Sequence, residues 1–278
     1  MPELKKKRAH RERWRIQRER VHTEVLARNV LWSSEESFLE RDEQGEVRSS
    51  VVRETLVPKA LAVAVGPPAT QEDVIRLWEC ARAERGSWPL VMALDNGSPF
   101  RGKRVRAFLQ ERQIIALHNV PHTPQHNPFI ERTLGDLKGV IGQDGLAERP
   151  AEPSQGPVCA REPGVRATRV CKLARLLCAW NNAAWQLNHC TPRDDLAGLT
   201  PDEVDSFAPD AENLVRRERF YNDARAALAR VAQQQLKPRA RRRAEREAIL
   251  CTLEEHGLVN RTRGDSRSSR PSKRTRVA

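Results

Sequence analysis

Two carboxylates with thirty-five residues between them constrain this chain more than any other feature. Asp95 sits inside WPLVMALDNGSPF (88–100) and Glu131 inside NPFIERTLGDLKGV (127–140). Pro89 to Leu94 is apolar and long enough for one buried strand. Asp-Asn-Gly-Ser then ends it in a turn, which places Asp95 at the strand's carboxyl end. Ligands collect at that end in open α/β sheets. Phe100 to Arg112 reads as a helix with Val105, Phe108 and Leu109 inward, and Ile114 to Leu117 as a second short strand. The loop HNVPHTPQHN (118–127) is rich in breakers. Asn127-Pro128 gives an N-cap followed by proline at the first helical position, so Glu131 falls in the first turn of a helix. Ile130, Leu134, Leu137 and Ile141 form its apolar stripe, and Glu131, Gly135 and Lys138 share the neighbouring face. A carboxylate, a gap and a cation on one exposed face suit a metal-bound phosphate backbone. Singly, each piece is ordinary: Asp-Asn-Gly makes turns, and a glutamate in a first turn complements the helix dipole. Only the joint pattern is specific.

Upstream, Leu26 to Ser34, Val47 to Val57 and Leu61 to Val65 read as three strands, with Asp42 to Gly45 as a hairpin turn. Thr70-Gln-Glu-Asp73 is a capping box, and Val74, Leu77, Trp78 and Ala81 make one helical stripe. The order is therefore three strands, helix, strand, helix, strand, helix. A net charge of +12 and a pI near 10.0 point to a polyanionic partner, DNA before membrane. With no apolar span and no signal peptide, the expected location is the bacterial cytosol, at the nucleoid. The six cysteines contain no C-x-x-C pair, so neither zinc nor disulfides are expected and buried free thiols are.

DNGSPF, the 35-residue gap and HTPQHNPFIERTLGDLKG together resemble the catalytic core of insertion-sequence transposases of the retroviral-integrase (rve), D,D-35-E type, over about residues 25 to 205. That resemblance implies an α/β fold: a ribonuclease H-like mixed five-stranded sheet flanked by helices, here with a helical C-terminal extension. It also implies two divalent ions, Mg2+ or Mn2+, and DNA transposition or integration by phosphoryl transfer. Asp95 becomes the second acidic residue and Glu131 the third, with Lys138 and its neighbour Arg132 as DNA contacts. The first acid of the family lies in Trp-x-x-Asp-x-Thr, and this chain has Trp32-Ser-Ser-Glu35-Glu-Ser37. Glu35, Asp95 and Glu131 are thus the expected catalytic and metal-holding set, with Glu36 and Asp42 as fallbacks for the first place. The extra methylene of Glu35 displaces its oxygens by about an ångström, and a two-metal site tolerates little misplacement. Reduced or lost activity is expected, and the alternative function is a non-catalytic DNA-binding remnant.

Composition divides the chain further. Nine of the first twenty residues are Lys or Arg, so residues 1–24 read as a basic arm, either a solvated tail or a phosphate-binding extension. The core is expected over 25–145, a Pro- and Gly-rich linker over 146–166, and a helical completion of the core over 167–210. Residues 211–263 read as a basic helical region, with a cationic run at 239–246 and a winged-helix-like piece after it. Residues 264–278 read as a disordered cationic tail. Transposases of this type carry a helix-turn-helix domain before the core, which this arrangement does not accommodate. A truncated copy or second reading frame is expected, acting on DNA as a homo-oligomer, with a separate helix-turn-helix subunit as a possible partner.

Overall fold

The apolar runs pair into one mixed five-stranded sheet. The computed structural model describes residues 21–119, 128–143 and 167–263; the basic arm's first twenty residues, the loop 120–127, the linker 144–166 and the tail 264–278 lie outside them. At residues 21, 22, 128–131, 143, 167, 168 and 263 the description is of backbone alone. After a short strand β1 (Val21–Val25) come β2 (Leu31–Asp42), β3 (Gly45–Glu54) and β4 (Ala60–Gly66), paired antiparallel. Strands β5 (Val91–Leu94) and β6 (Ile115–His118) add in parallel, giving the order β4-β3-β2-β5-β6. The β2–β3 hairpin closes where the turn chemistry predicts, Asp42 opposite Gly45, and Gly45 takes φ 119, a conformation that favours glycine.

Helices cover the two faces unequally. Helices α1 (Gln71–Arg85) and α2 (Lys103–Glu111) lie on one face, burying Trp32, Leu77, Trp78, Met92, Leu94 and Phe108 in a single cluster. The predicted capping box starts α1: Thr70 accepts from the Asp73 amide, and Asp73 accepts in return from the Thr70 amide at 2.9 Å. The other face has two separate covers. Helices α3 (Pro128–Gln143) and α4 (Ala167–Trp185) pack on β3 and β4 through Leu134, Leu137, Leu177 and Trp180. Beyond α5 (Pro201–Phe207) and α6 (Ala211–Leu214), helices α7 (Arg217–Ala232) and α8 (Pro238–Glu255) pack on β5 and β6 through Phe220, Ala224, Ile249 and Leu253. Each large side chain so buried contributes about 1.5–3 kcal/mol. Over β2, between the two covers, the sheet face carries Ser33, Glu35 and Ser37 instead of apolar residues.

Several expectations need correction. The first long strand begins at Leu31, not Leu26, because Asn29 takes φ 62 and donates its amide to Glu54 at 2.8 Å, which breaks the chain's extension. The strand then runs on to Asp42 and so contains Glu35. Val21 to Glu24, read as the end of an arm, belong to β1. The C-terminal region is no separate winged-helix piece. The cationic run is the first half of α8, and the closing strand β7 (Val259–Arg263) pairs antiparallel with β1, from Val21 opposite Arg263 to Val25 opposite Val259. Leu258 and Val259 join the same core cluster as Val91 and Ile115, which binds the extension to the sheet. The cysteines also differ: Cys171, Cys178 and Cys190 are free but exposed, and Cys251 is free and half-buried.

Candidate active site

Strand alternation decides which acids can meet. Successive side chains of β2 point to opposite faces, so Trp32, Ser34 and Glu36 face α1 while Ser33, Glu35 and Ser37 face α3. The contacts agree: the Trp78 indole N–H donates to Ser34 Oγ at 3.0 Å, and Lys138 Nζ on α3 donates to Ser37 Oγ at 3.0 Å. Parallel pairing of β2 with β5 runs from Leu31 opposite Val91 to Ser34 opposite Leu94. The next residues are Glu35 and Asp95. Both are half-buried and fall on the same face, since Met92 and Leu94 belong to the α1-side cluster and Val91 and Ala93 to the other. Sequence spacing could not give this adjacency, because it depends on register between strands sixty residues apart.

The two fallback acids have structural work. Glu36 accepts from the Ala69 amide at 2.6 Å and from Arg48 at 3.1 Å, on the α1 side. Asp42 accepts from the Gln44 amide at 2.9 Å within the hairpin and pairs with Arg169 at 3.0 Å. Glu131 lies in the first turn of α3, and its side chain is outside the described residues, as is the capping residue Asn127. Arg132 is exposed and pairs with Asp195 at 3.3 Å. Among the described residues no three His, Cys, Asp or Glu side chains converge as a metal cluster.

Two further residues, Arg53 and Ser37, border this face, and His118 stands at the end of the neighbouring strand. Arg53, paired with Ser33 across β2 and β3, is 4% exposed; burial, with Arg193 and Arg132 nearby, holds its guanidinium down to about 10. Ser37, which Lys138 reaches, follows from simple two-residue alternation from Glu35. His118 ends β6, opposite Leu94 in register, and Asn119 N donates to Leu94 O at 3.1 Å. Burial, with the Arg242 guanidinium alongside, holds the His118 imidazole down to about 4, against a hydrogen bond to the Asp95 backbone that favours its charged form. The turn after β5 is tied to the one after β6 by Asn96 Nδ2 donating to Asn119 O at 2.9 Å. That tie fixes the backbone on which Asp95 stands.

Solved structures match this architecture. A chain of the simian T-cell lymphotropic virus intasome, solved in complex with the PP2A regulatory subunit B56 gamma, superposes with a TM-score of 0.51 at 17% identity, over 68% of this chain and 58% of that one. The fold is that of a retroviral integrase catalytic core. The HTLV-2 integrase catalytic core in complex with magnesium, solved in trimeric and dimeric forms, aligns over 65% of this chain and 99% of its own at 19% identity and a TM-score of 0.47. The BIV integrase core aligns over 64% of this chain and 94% of its own at 20% identity and a TM-score of 0.44. No protein-family model matches the chain, and no curated protein does. Among the described residues no helix is long and apolar enough to cross a membrane. In this fold Glu35 stands on β2, Asp95 directly follows the parallel strand β5, and α3 packs beside β2 and β3.

Proposed function

We propose that the chain is a DNA-acting transposase or integrase, a metal-dependent polynucleotidyl transferase using Glu35, Asp95 and Glu131. The observation that supports this reading is the register of β2 and β5, in which Ser34 lies opposite Leu94, so that Glu35 and Asp95 each follow a paired residue. Neighbouring carboxylates repel one another, and a cation held between them would relieve that repulsion. Both are hard oxygen donors, the kind that Mg2+ or Mn2+ accepts. Glu35, Asp95 and Glu131 would hold two such ions, which supply nucleophile activation and leaving-oxygen stabilisation for in-line phosphoryl transfer. Lys138 and Arg132, on the exposed side of α3, would take flanking phosphates as point charges. Self-association on DNA, a separate helix-turn-helix subunit and a bacterial cytosolic setting belong to the same proposal.

The glutamate at position 35 favours a second reading, a DNA-binding remnant without cleavage, because its longer side chain displaces the oxygens from where an aspartate would hold them. Strand transfer on labelled duplex DNA in Mg2+ or Mn2+ separates the two. Native protein that transfers strands, with Asp95→Asn silent, supports the enzyme. Native protein that binds DNA without cutting it, while Glu35→Asp cuts, supports a damaged site. If neither form cuts and calorimetry shows no Mn2+ binding that Asp95→Asn removes, the two-metal reading is wrong.

A further inference from the structure

At the β6 edge of the sheet, away from the carboxylate pair, a groove of about 530 Å³ opens between α2, α7 and α8. Its charged lining comprises Arg106 from α2, Arg225 from α7, and Arg241, Arg242, Glu245 and Arg246 from α8. Five guanidinium groups thus face one carboxylate. That carboxylate is already engaged, with Arg241 at 2.9 Å and Arg242 at 3.7 Å. Arg106 and Arg225 are exposed and make no ion pair among the described residues. Cations gathered in a cleft with low-dielectric walls repel one another and focus a positive potential outward. The floor of the groove includes Ala116, Leu117 and His118, and His118 lies opposite Leu94, the residue before Asp95. The groove therefore starts at the carboxylate end of the sheet and leads away along β6.

We propose that this arginine groove is a phosphodiester track, holding the backbone of the DNA strand that leads away from Asp95. The inference rests on the DNA-acting reading above and names the surface that reading lacks. A small anion would satisfy one of these charges, whereas successive backbone phosphates can satisfy both Arg106 and Arg225. Arg106 and Arg225 come from different helices, α2 and α7. Guanidinium groups suit phosphate because their planar donor fork can bind two oxygens at once. No base contact is required, so the track is indifferent to sequence.

The test measures binding of a fluorescein-labelled duplex to the full chain by anisotropy, in EDTA, across a salt series. Each phosphate contact contributes about 0.9 to the slope of log affinity against log salt, so Arg106→Ala/Arg225→Ala should lower that slope by about 1.8. Arg82→Ala, an exposed arginine on α1 that does not line the groove, should leave it unchanged. Thermal melts of each variant confirm that the fold persists. If the double variant keeps the native slope, the track is wrong, and the DNA-acting reading survives as long as native protein and Asp95→Asn bind alike. If calorimetry shows inorganic phosphate binding that the double variant loses while the DNA slope stays put, the groove holds a small anion and the track is equally wrong. If native protein binds no DNA, the functional reading falls with it.

Discussion

The two faces of β2 are built on opposite principles. On the α1 side, Trp32 and Ser34 are fully enclosed, and the polar groups around them are tied into one network. Glu54, opposite Trp32, is 0% exposed and accepts from the amides of Asn29, Thr55 and Leu56, the Trp32 indole and Arg85, at 2.8 to 3.3 Å. Arg85 continues the network to Asp205, and Asn29 continues it to Asp210 at 2.7 Å. Burial pushes the Glu54 carboxyl up, against the Arg85 charge and the three amides that favour the carboxylate. On the α3 side, Ser33, Glu35 and Ser37 occupy a gap between two helical covers, with a second carboxylate as neighbour. One face uses its polar groups to hold α1, β3 and α5 together; the other leaves charge at a rim. Such a division is what a site adds to a fold, since groups arranged for function are commonly not arranged for stability.

The largest expected effect breaks the first face. Glu54→Ala removes the shared acceptor of three amides, the Trp32 indole and Arg85, leaving buried donors unsatisfied although Arg85 keeps Asp205, and should destabilise the protein by about 3–5 kcal/mol. Glu35→Ala, at a half-buried position on the rim, should cost less, within about 1 kcal/mol. Urea titrations of both variants measure the contrast directly. Equal losses for the two would mean that the α3-side face contributes as much to stability as the other.

Much of this contrast is legible in the amino-acid sequence. The hairpin at Asp42–Gly45, the capping box at Thr70, the buried run before Asp95 and the helix from Pro128 all follow from local chemistry, which acts over a few residues. Glu36 is set aside by alternation alone. Whatever depends on distant pairing is not legible in this way. Asn29 turns the chain only because its amide meets Glu54, twenty-five residues later. β7 exists because β1 offers it an edge, and the cationic run of α8 faces a groove only because α7 folds it back over β6. Arg53 carries no signal at all, since an arginine in a strand is expected to reach water.

The second effect concerns His118, at the carboxylate end of β6. Its ordinary value near 6.5 is depressed to about 4 in the folded protein. As pH falls through that interval the unfolded chain takes up a proton that the folded chain refuses, so stability falls with pH. At about 1.4 kcal/mol per unit, the loss between neutral pH and pH near 4 reaches up to about 3 kcal/mol. His118→Gln should flatten that part of the stability profile while leaving the loss from the carboxylates. Thermal melts across the acid range decide it, and an unchanged profile would show that the imidazole charges without cost in the fold.

The smallest effect sharpens the comparison at α3, the helix that borders the open face. Gly135 and Gly139 are exposed, and a Cβ built on either meets nothing within 4 Å. Packing within the chain therefore does not require glycine at either place, yet glycine in a helix interior is less stable than alanine by about 0.5–1 kcal/mol. Gly135→Ala and Gly139→Ala should each raise stability by that amount, read from denaturant midpoints. If α3 lies against DNA as proposed for Lys138, the added methyl groups meet the sugar-phosphate surface, and the same variants bind the labelled duplex less tightly. Variants that gain stability and bind DNA unchanged would remove the α3 face from the contact surface, leaving the groove along β6 to carry the strand.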